Sequence, residues 1–154
     1  MRYFWAIVML LFSFANAYEK PLFQLPEHQK DVTIYLKTLL NNATFSVTIA
    51  TQSFDYVPIE RAIIASVKRG VVWKLFLYTN HPSPFVQKIA LLYNVKVYLC
   101  PASRQNSFVY IDERLFQSNL PLEYTLFETQ KGWFSPSKTS WEAPTGCESY
   151  INYK

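Results

Sequence analysis

The spacing of hydrophobic residues predicts a helix followed directly by a strand near the start of the chain. Residues 27–42 carry apolar side chains at helical spacing, among them Val32, Leu36 and Leu39. Residues 45–50 alternate apolar and polar side chains and are rich in β-branched types, a pattern typical of a β-strand.

The same order of elements continues as far as residue 99. Pro58 opens a second helix that Gly70 ends, residues 71–78 form a nearly continuous apolar run, and a third helix over 83–93 leads into a short strand over 95–99. Strand–helix–strand units usually pair their strands in parallel. The pattern therefore predicts an α/β fold with a mixed, mostly parallel sheet flanked by helices.

The pattern changes in the last third of the chain. Residues 107–111 and 122–127 predict two strands with no helix between them, which indicates a hairpin. From residue 128 onward, turn-forming residues accumulate around Trp133 and Trp141 without helical or strand period. We therefore expect residues 128–154 to form an irregular tail held by aromatic packing.

The first 17 residues have the pattern of a secretory signal peptide. Arg2 precedes an uncharged apolar run that ends in the small residues of Ala15-Asn16-Ala17. An uncleaved anchor is the alternative, although the run falls short of the roughly 20 residues that span a bilayer. Cleavage after Ala17 predicts a mature protein without a transmembrane anchor, located in the periplasm or secreted.

The length and net charge of the chain exclude few classes of function. A chain of 154 residues that is 50% hydrophobic suits one compact domain. Without Arg2, 14 basic side chains face 11 acidic ones, a surplus of +3 against +4 for the whole chain. This surplus is too small to indicate a nucleic-acid partner by itself.

The two cysteines, Cys100 and Cys147, are expected to form a disulfide in an oxidising compartment, with two buried free thiols as the alternative. The sequence contains no cluster of cysteine and histidine at metal-ligand spacing, so we expect neither a metal site nor a cofactor.

Three segments together resemble the phospholipase D superfamily: residues 46–54, 59–65 and 68–71, with Lys68-Arg69-Gly70-Val71 as the corner into a strand. Residues 94–97 resemble the entry to the strand that precedes the active-site motif of that family. The likeness is greatest to the secreted, single-motif Nuc-type endonucleases. It implies one half of the phospholipase D fold over residues 18–127.

The family motif is His-x-Lys, four residues, Asp, and a later Gly-Ser-x-Asn. The resemblance assigns six residues of this chain to the histidine, lysine, aspartate, serine, asparagine and supporting glutamate positions: Gln105, Ser107, Asp112, Ser118, Asn119 and Glu123. The serine segment arrives early and lacks its glycine, so Asn119 is the weakest of these assignments.

The substitutions remove the chemistry that the resemblance implies. A histidine attacks phosphorus in active members, and the lysines neutralise the phosphoryl charge. The Gln105 amide is not a nucleophile, and Ser107 is not a cation. A symmetric homodimer, which the resemblance also implies, would only bring two copies of Gln105 together.

Three other residues are weak candidates for a catalytic or phosphate-binding role. His81 follows the strand over 71–78 and could lie at the rim of a cleft, His28 lies at the start of the first helix, and Arg104 adjoins the motif.

The leading hypothesis is an exported, non-catalytic phospholipase D-like protein with a binding or scaffolding role in the cell envelope. The alternative is a phosphodiesterase acting on DNA or phospholipid with a partner that supplies the intact motif, to which this chain contributes Asp112 and Ser118. A third hypothesis is a small structural component whose resemblance is coincidental.

Overall fold

The computed structural model describes residues 22–101 and 106–151, which form ten strands and four α-helices. The strands are β1 (Phe23–Leu25), β2 (Ser46–Thr51), β3 (Phe54–Asp55), β4 (Val72–Leu77), β5 (Val95–Leu99), β6 (Ser107–Ile111), β7 (Arg114–Ser118), β8 (Leu122–Glu123), β9 (Gly132–Pro136) and β10 (Glu148–Tyr150). The helices are α1 (Gln29–Asn42), α2 (Glu60–Lys68), α3 (Pro84–Ile89) and α4 (Tyr124–Thr129), with a 3₁₀ turn at Val57–Ile59.

Within the described residues, eight strands form one mixed sheet in the order β1-β9-β7-β6-β2-β4-β5-β10. This confirms the predicted α/β class with a mixed sheet. The parallel part is smaller than expected, because only β2, β4 and β5 pair in parallel, while the other neighbours are antiparallel. β3 and β8 form a separate parallel pair.

The predicted strand over 122–127 is wrong beyond Glu123, because α4 begins at Tyr124. The true hairpin partner of β6 is β7, joined to it by Asp112 and Glu113 with φ angles of +45° and +70°. Two consecutive residues with positive φ suit a tight hairpin turn, but Asn-Gly or Asp-Gly is the usual sequence for it. The pair Asp-Glu does not indicate such a turn.

The segment expected to be an irregular tail contributes two strands to the main sheet. β9 pairs with β1 and β7, and β10 pairs with β5. Phe134 of β9 is fully buried and stacks on Phe116 with ring centroids 5.8 Å apart. Both strands are short, and their pairing partners lie far away in the sequence, so local periodicity did not indicate them.

The helices pack on one face of the sheet and form the main core with it. Trp73 and Leu75 of β4 are fully buried there, and the Trp73 indole N–H donates to Ser66 Oγ at 2.8 Å. No helix of the described residues is long and apolar enough to cross a membrane.

A smaller cluster occupies part of the opposite face, where Ala50 and Phe76 lie side by side in register. Trp141 packs against Phe76 with ring centroids 5.8 Å apart, and a disulfide joins Cys100 to Cys147 beside it. The bridge predicted between the two cysteines is therefore present in the structure. It ties the segment after β9 to the end of β5.

The three parallel strands give the sheet two distinct edges. We call the edge where β2, β4 and β5 end the carboxyl edge, and the edge where they begin the amino edge. In open α/β sheets, ligands bind outside the carboxyl ends of the strands. A ligand-binding site is therefore expected at the carboxyl edge.

Candidate functional site

The topology brings most of the predicted site residues to the carboxyl edge. β6 runs antiparallel to β2, so Ser107 at its start lies beside Thr51 at the end of β2. Ser118 pairs with Ser107 across the hairpin, and Asn119 follows it. Gln105 and Arg104, the predicted nucleophile position and its neighbour, lie outside the described residues.

Ser107 takes part in a closed network of buried hydroxyl and backbone groups. Its Oγ lies 2.8 Å from Thr51 Oγ1 and donates to the carbonyl oxygen of Leu120 at 2.8 Å. The N–H of Leu122 donates to Thr51 Oγ1 at 3.1 Å. Ser107 is only 2% exposed. Its hydroxyl therefore stabilises the loop after β7 and is not presented to a ligand.

Ser118 and Asn119 are also engaged with the protein itself. Ser118 Oγ accepts a hydrogen bond from the N–H of Leu120 at 3.2 Å, and Asn119 Oδ1 accepts one from the N–H of Trp133 at 2.8 Å. These bonds fix the segment that connects β7 to β8 and hold it against β9. The two residues therefore have a structural function at the positions where the family motif would place its serine and asparagine.

Glu123 adds negative charge to the carboxyl edge. It accepts a hydrogen bond from the Ser53 hydroxyl, and the pairing of β3 with β8 sets it directly beside Asp55. Burial, and then the charge of Glu123, raise the pKa of the Asp55 carboxyl above its usual range. Two carboxyl groups at this edge oppose the approach of an anionic substrate.

The two histidines lie apart from this network. His81 is exposed in the loop after β4, and its backbone N–H donates to Thr79 Oγ1 at 3.1 Å. His28 precedes α1, where its Nδ1 accepts from the backbone N–H of Gln24 at 3.0 Å. His81 keeps its predicted place at the loops of the carboxyl edge. His28 instead stabilises a turn.

Asp112 lies at the opposite end of β6, on the amino edge. It lies five positions after Ser107, the first residue of β6, at a distance of roughly 17 Å. Its Oδ1 accepts from the N–H groups of Phe45 and Ser46 at 2.8 and 3.0 Å, and its Oδ2 accepts from the N–H of Thr44 at 2.7 Å. Asp112 therefore cannot contribute to chemistry at the carboxyl edge.

The hydrogen bonds to Asp112 also determine its ionisation. Burial raises the pKa of the carboxyl, but the N–H groups of Ser46, Thr44 and Phe45 favour the charged form and together outweigh burial. The pKa therefore lies below its usual range. Asp112 is a charged residue that fixes the backbone between α1 and β2.

Sequence reasoning missed Thr51 and Ser53, which hold Ser107 and Glu123 in place. Both lie at the end of the segment that carries the resemblance, but their function depends on distant residues that only the folded chain brings near. Within the described part of the chain, no group of histidine, cysteine, aspartate and glutamate could hold a metal ion.

The mixed sheet and its flanking helices have the fold of a phospholipase D-like half-domain. More particularly, the fold is of the Nuc type. The structure is similar to NucT from Helicobacter pylori, with a TM-score of 0.65 and 24% sequence identity over 73% of this chain and 80% of that chain.

Two further solved structures are similar to this chain. Nuc from Salmonella typhimurium, a phospholipase D family member, has a TM-score of 0.59 and 15% identity over 72% of this chain and 76% of that chain. TrmBL2, an archaeal chromatin protein with a novel mode of DNA binding, has a TM-score of 0.51 and 19% identity over 87% of this chain and 53% of that chain. No family model and no curated protein matches the chain.

Proposed function

We propose that this chain is an exported protein with a Nuc-type fold that does not cleave phosphodiesters and that acts by binding or scaffolding in the cell envelope. The fold supplies the framework of a phosphodiesterase, and the sequence replaces the two residues that would do the chemistry. We therefore expect the chain to have the fold of a phosphodiesterase without its reaction.

The closed network around Ser107 is the observation that carries the proposal. Phosphoryl transfer in this family needs a nucleophile and a cation at the motif strand. At the position of the cation, this chain has a buried hydroxyl that is already bonded to Thr51 and Leu120. At the described motif positions, the carboxyl edge thus lacks the groups that phosphoryl transfer needs.

Two features support export. The first 17 residues have signal-peptide character, and the Cys100–Cys147 disulfide is of a kind that persists in oxidising compartments. Both features favour a protein that functions outside the cytoplasm.

The first test is hydrolysis of bis-p-nitrophenyl phosphate and of plasmid DNA by the purified exported protein. We expect no turnover above a control without protein. Activity that disappears in Gln105→Ala would overturn the proposal, and activity that disappears in His81→Ala would identify a different nucleophile.

Restoring the motif is a second test, and the structure shows how it should be designed. A lysine at position 107 would place an ammonium group in a fully buried network, so Ser107→Lys is expected to be destabilising. Gln105→His is therefore assayed alone and together with Ser107→Lys, after thermal melting has shown that each variant is folded. Activity that appears only with a copurified chain carrying an intact motif would favour the heteromeric phosphodiesterase instead.

A further inference from the structure

The amino edge exposes three large apolar side chains in a row. Phe45 is 75% exposed, Val72 41% and Tyr93 80%. The carbonyl oxygen of Phe45 accepts from the N–H of Val72 at 3.1 Å, and that of Asn94 accepts from Trp73 at 2.9 Å. These bonds place the three residues at the starts of adjacent strands, within about 10 Å of one another.

The exposure of Phe45 is built into the folded structure. Its N–H donates to Asp112 Oδ1 at 2.8 Å, and the N–H groups of Thr44 and Ser46 bond to the same carboxylate. The backbone at Phe45 therefore cannot turn so that the ring faces the core without breaking the hydrogen bonds to the Asp112 carboxylate. A cluster of exposed apolar side chains of this kind indicates a contact surface.

Lysines flank this apolar row. Lys74 and Lys96 are direct partners in the β4–β5 pairing, both are exposed, and Lys68 ends α2 beside the same edge. Among the described residues, none of the three forms an ion pair. Adjacent like charges are unfavourable in a sheet. The two nearby carboxylates, Asp112 and Glu113, are outnumbered by the three lysines, so these described residues together carry a net positive charge.

We propose that the amino edge docks on an anionic lipid surface, with Phe45, Val72 and Tyr93 in the headgroup region and Lys68, Lys74 and Lys96 against the lipid charges. Aromatic side chains prefer the membrane interface, and lysines near it are attracted to anionic lipids. A symmetric contact between two copies would instead bring the lysines together. This proposal rests on the export proposed above but not on the absence of catalysis.

Docking in this way has a consequence for orientation. The carboxyl edge lies at the other end of the same strands, so it points away from the membrane. The motif positions Ser107, Ser118 and Asn119 then lie on the aqueous side.

Co-sedimentation with lipid vesicles tests the proposal. The protein is recovered after export, and mass spectrometry shows whether residues 1–17 are gone. We expect binding to vesicles that contain phosphatidylglycerol, little binding to pure phosphatidylcholine, and weakening with added salt. Phe45→Ser with Tyr93→Ser, and separately Lys74→Gln with Lys96→Gln, should each reduce the affinity about tenfold.

The matched control is Ile34→Ser with Lys30→Gln, which removes one exposed apolar residue and one exposed lysine from α1. It should bind like the parent protein. Equal binding to neutral vesicles, unchanged affinity in the edge variants, or an equal loss in the control would overturn the proposal. The proposal would also be overturned if the edge variants lost binding to a single-stranded oligonucleotide, or no longer formed a dimer in sedimentation, while their vesicle binding persisted. If mass spectrometry shows that residues 1–17 are retained, the proposed export is overturned. Hydrolysis of a phosphodiester would overturn the proposed lack of catalysis but would change none of the vesicle-binding outcomes.

Discussion

The two edges of the parallel strands differ in which side chains are buried and which are exposed. At the carboxyl edge, Ser107 and Thr51 satisfy each other, and Trp141 covers the aromatic side chain of Phe76. At the amino edge, Phe45 and Tyr93 are exposed to solvent beside the exposed side chains of Lys74 and Lys96. In most open α/β proteins the carboxyl edge is the one that binds. Here the described motif residues at the carboxyl edge are bonded within the protein, whereas large apolar side chains are exposed at the amino edge.

The comparison of the two edges also shows that residues assigned to one motif lie in different places and have different functions. The family resemblance assigns Asp112 to the aspartate position, and Asp112 lies at the amino edge, where it fixes the backbone before β2. The resemblance assigns Ser107 to the lysine position, which lies at the carboxyl edge. Asp112 therefore stabilises the fold far from Ser107.

Removing the disulfide should have the largest effect on this comparison. Cys100 and Cys147 are 47 residues apart, so the loss of the bridge in Cys100→Ser with Cys147→Ser should lower the free energy of unfolding by about 4 kcal/mol. The measurement is urea unfolding followed by tryptophan fluorescence, because Trp141 packs beside the bridge.

Reduction provides the control for this prediction. Dithiothreitol should move the parent protein to the midpoint of the double variant and leave the variant unchanged. If the variant is as stable as the parent, the bridge does not hold the terminal segment on the carboxyl edge, and the contrast between the edges loses its main support.

The sequence predicted the elements whose pattern is local. α1 and β5 lie close to the predicted ranges, because helical spacing and a short apolar run identify them without reference to other residues. β7 was missed because the turn at Asp112 uses positive φ angles without the usual glycine. β9 and β10 were missed because their partners are distant in the sequence.

The candidate site was predictable only as a set of positions. The resemblance to the family motif assigned Ser107 and Ser118, and the structure brings both residues to the carboxyl edge. That the Ser107 hydroxyl is enclosed depends on Thr51 and Leu120, which lie 56 and 13 residues away in the chain. Contacts of this kind arise from folding, and no local pattern indicates them.

Opening the hydroxyl network should have an intermediate effect. Ser107→Ala leaves the Leu120 carbonyl without its donor, and we expect a loss of about 1–2 kcal/mol in the free energy of unfolding. Thr51→Val should cost a similar amount, and a double-mutant cycle should give a coupling of about 1 kcal/mol. Ser140→Ala, at an exposed position after β9, is the matched control and should change stability little. Additive effects in the cycle would show that the two hydroxyls do not form one network.

The smallest expected effect is at the amino edge and depends on pH. Asp112→Asn keeps a carbonyl oxygen and tolerates positive φ but loses the charge, so at neutral pH it should cost about 1 kcal/mol. Because the folded pKa of Asp112 is lowered, this stabilisation is present above the unfolded pKa of about 4 and is lost as the pH falls through the folded value. Urea unfolding across this range should therefore show the parent protein and the variant converging in acid. Glu113→Gln, in the same turn, should show no such convergence. A constant difference between the parent protein and Asp112→Asn at every pH would mean that shape, and not charge, holds Phe45 at the amino edge.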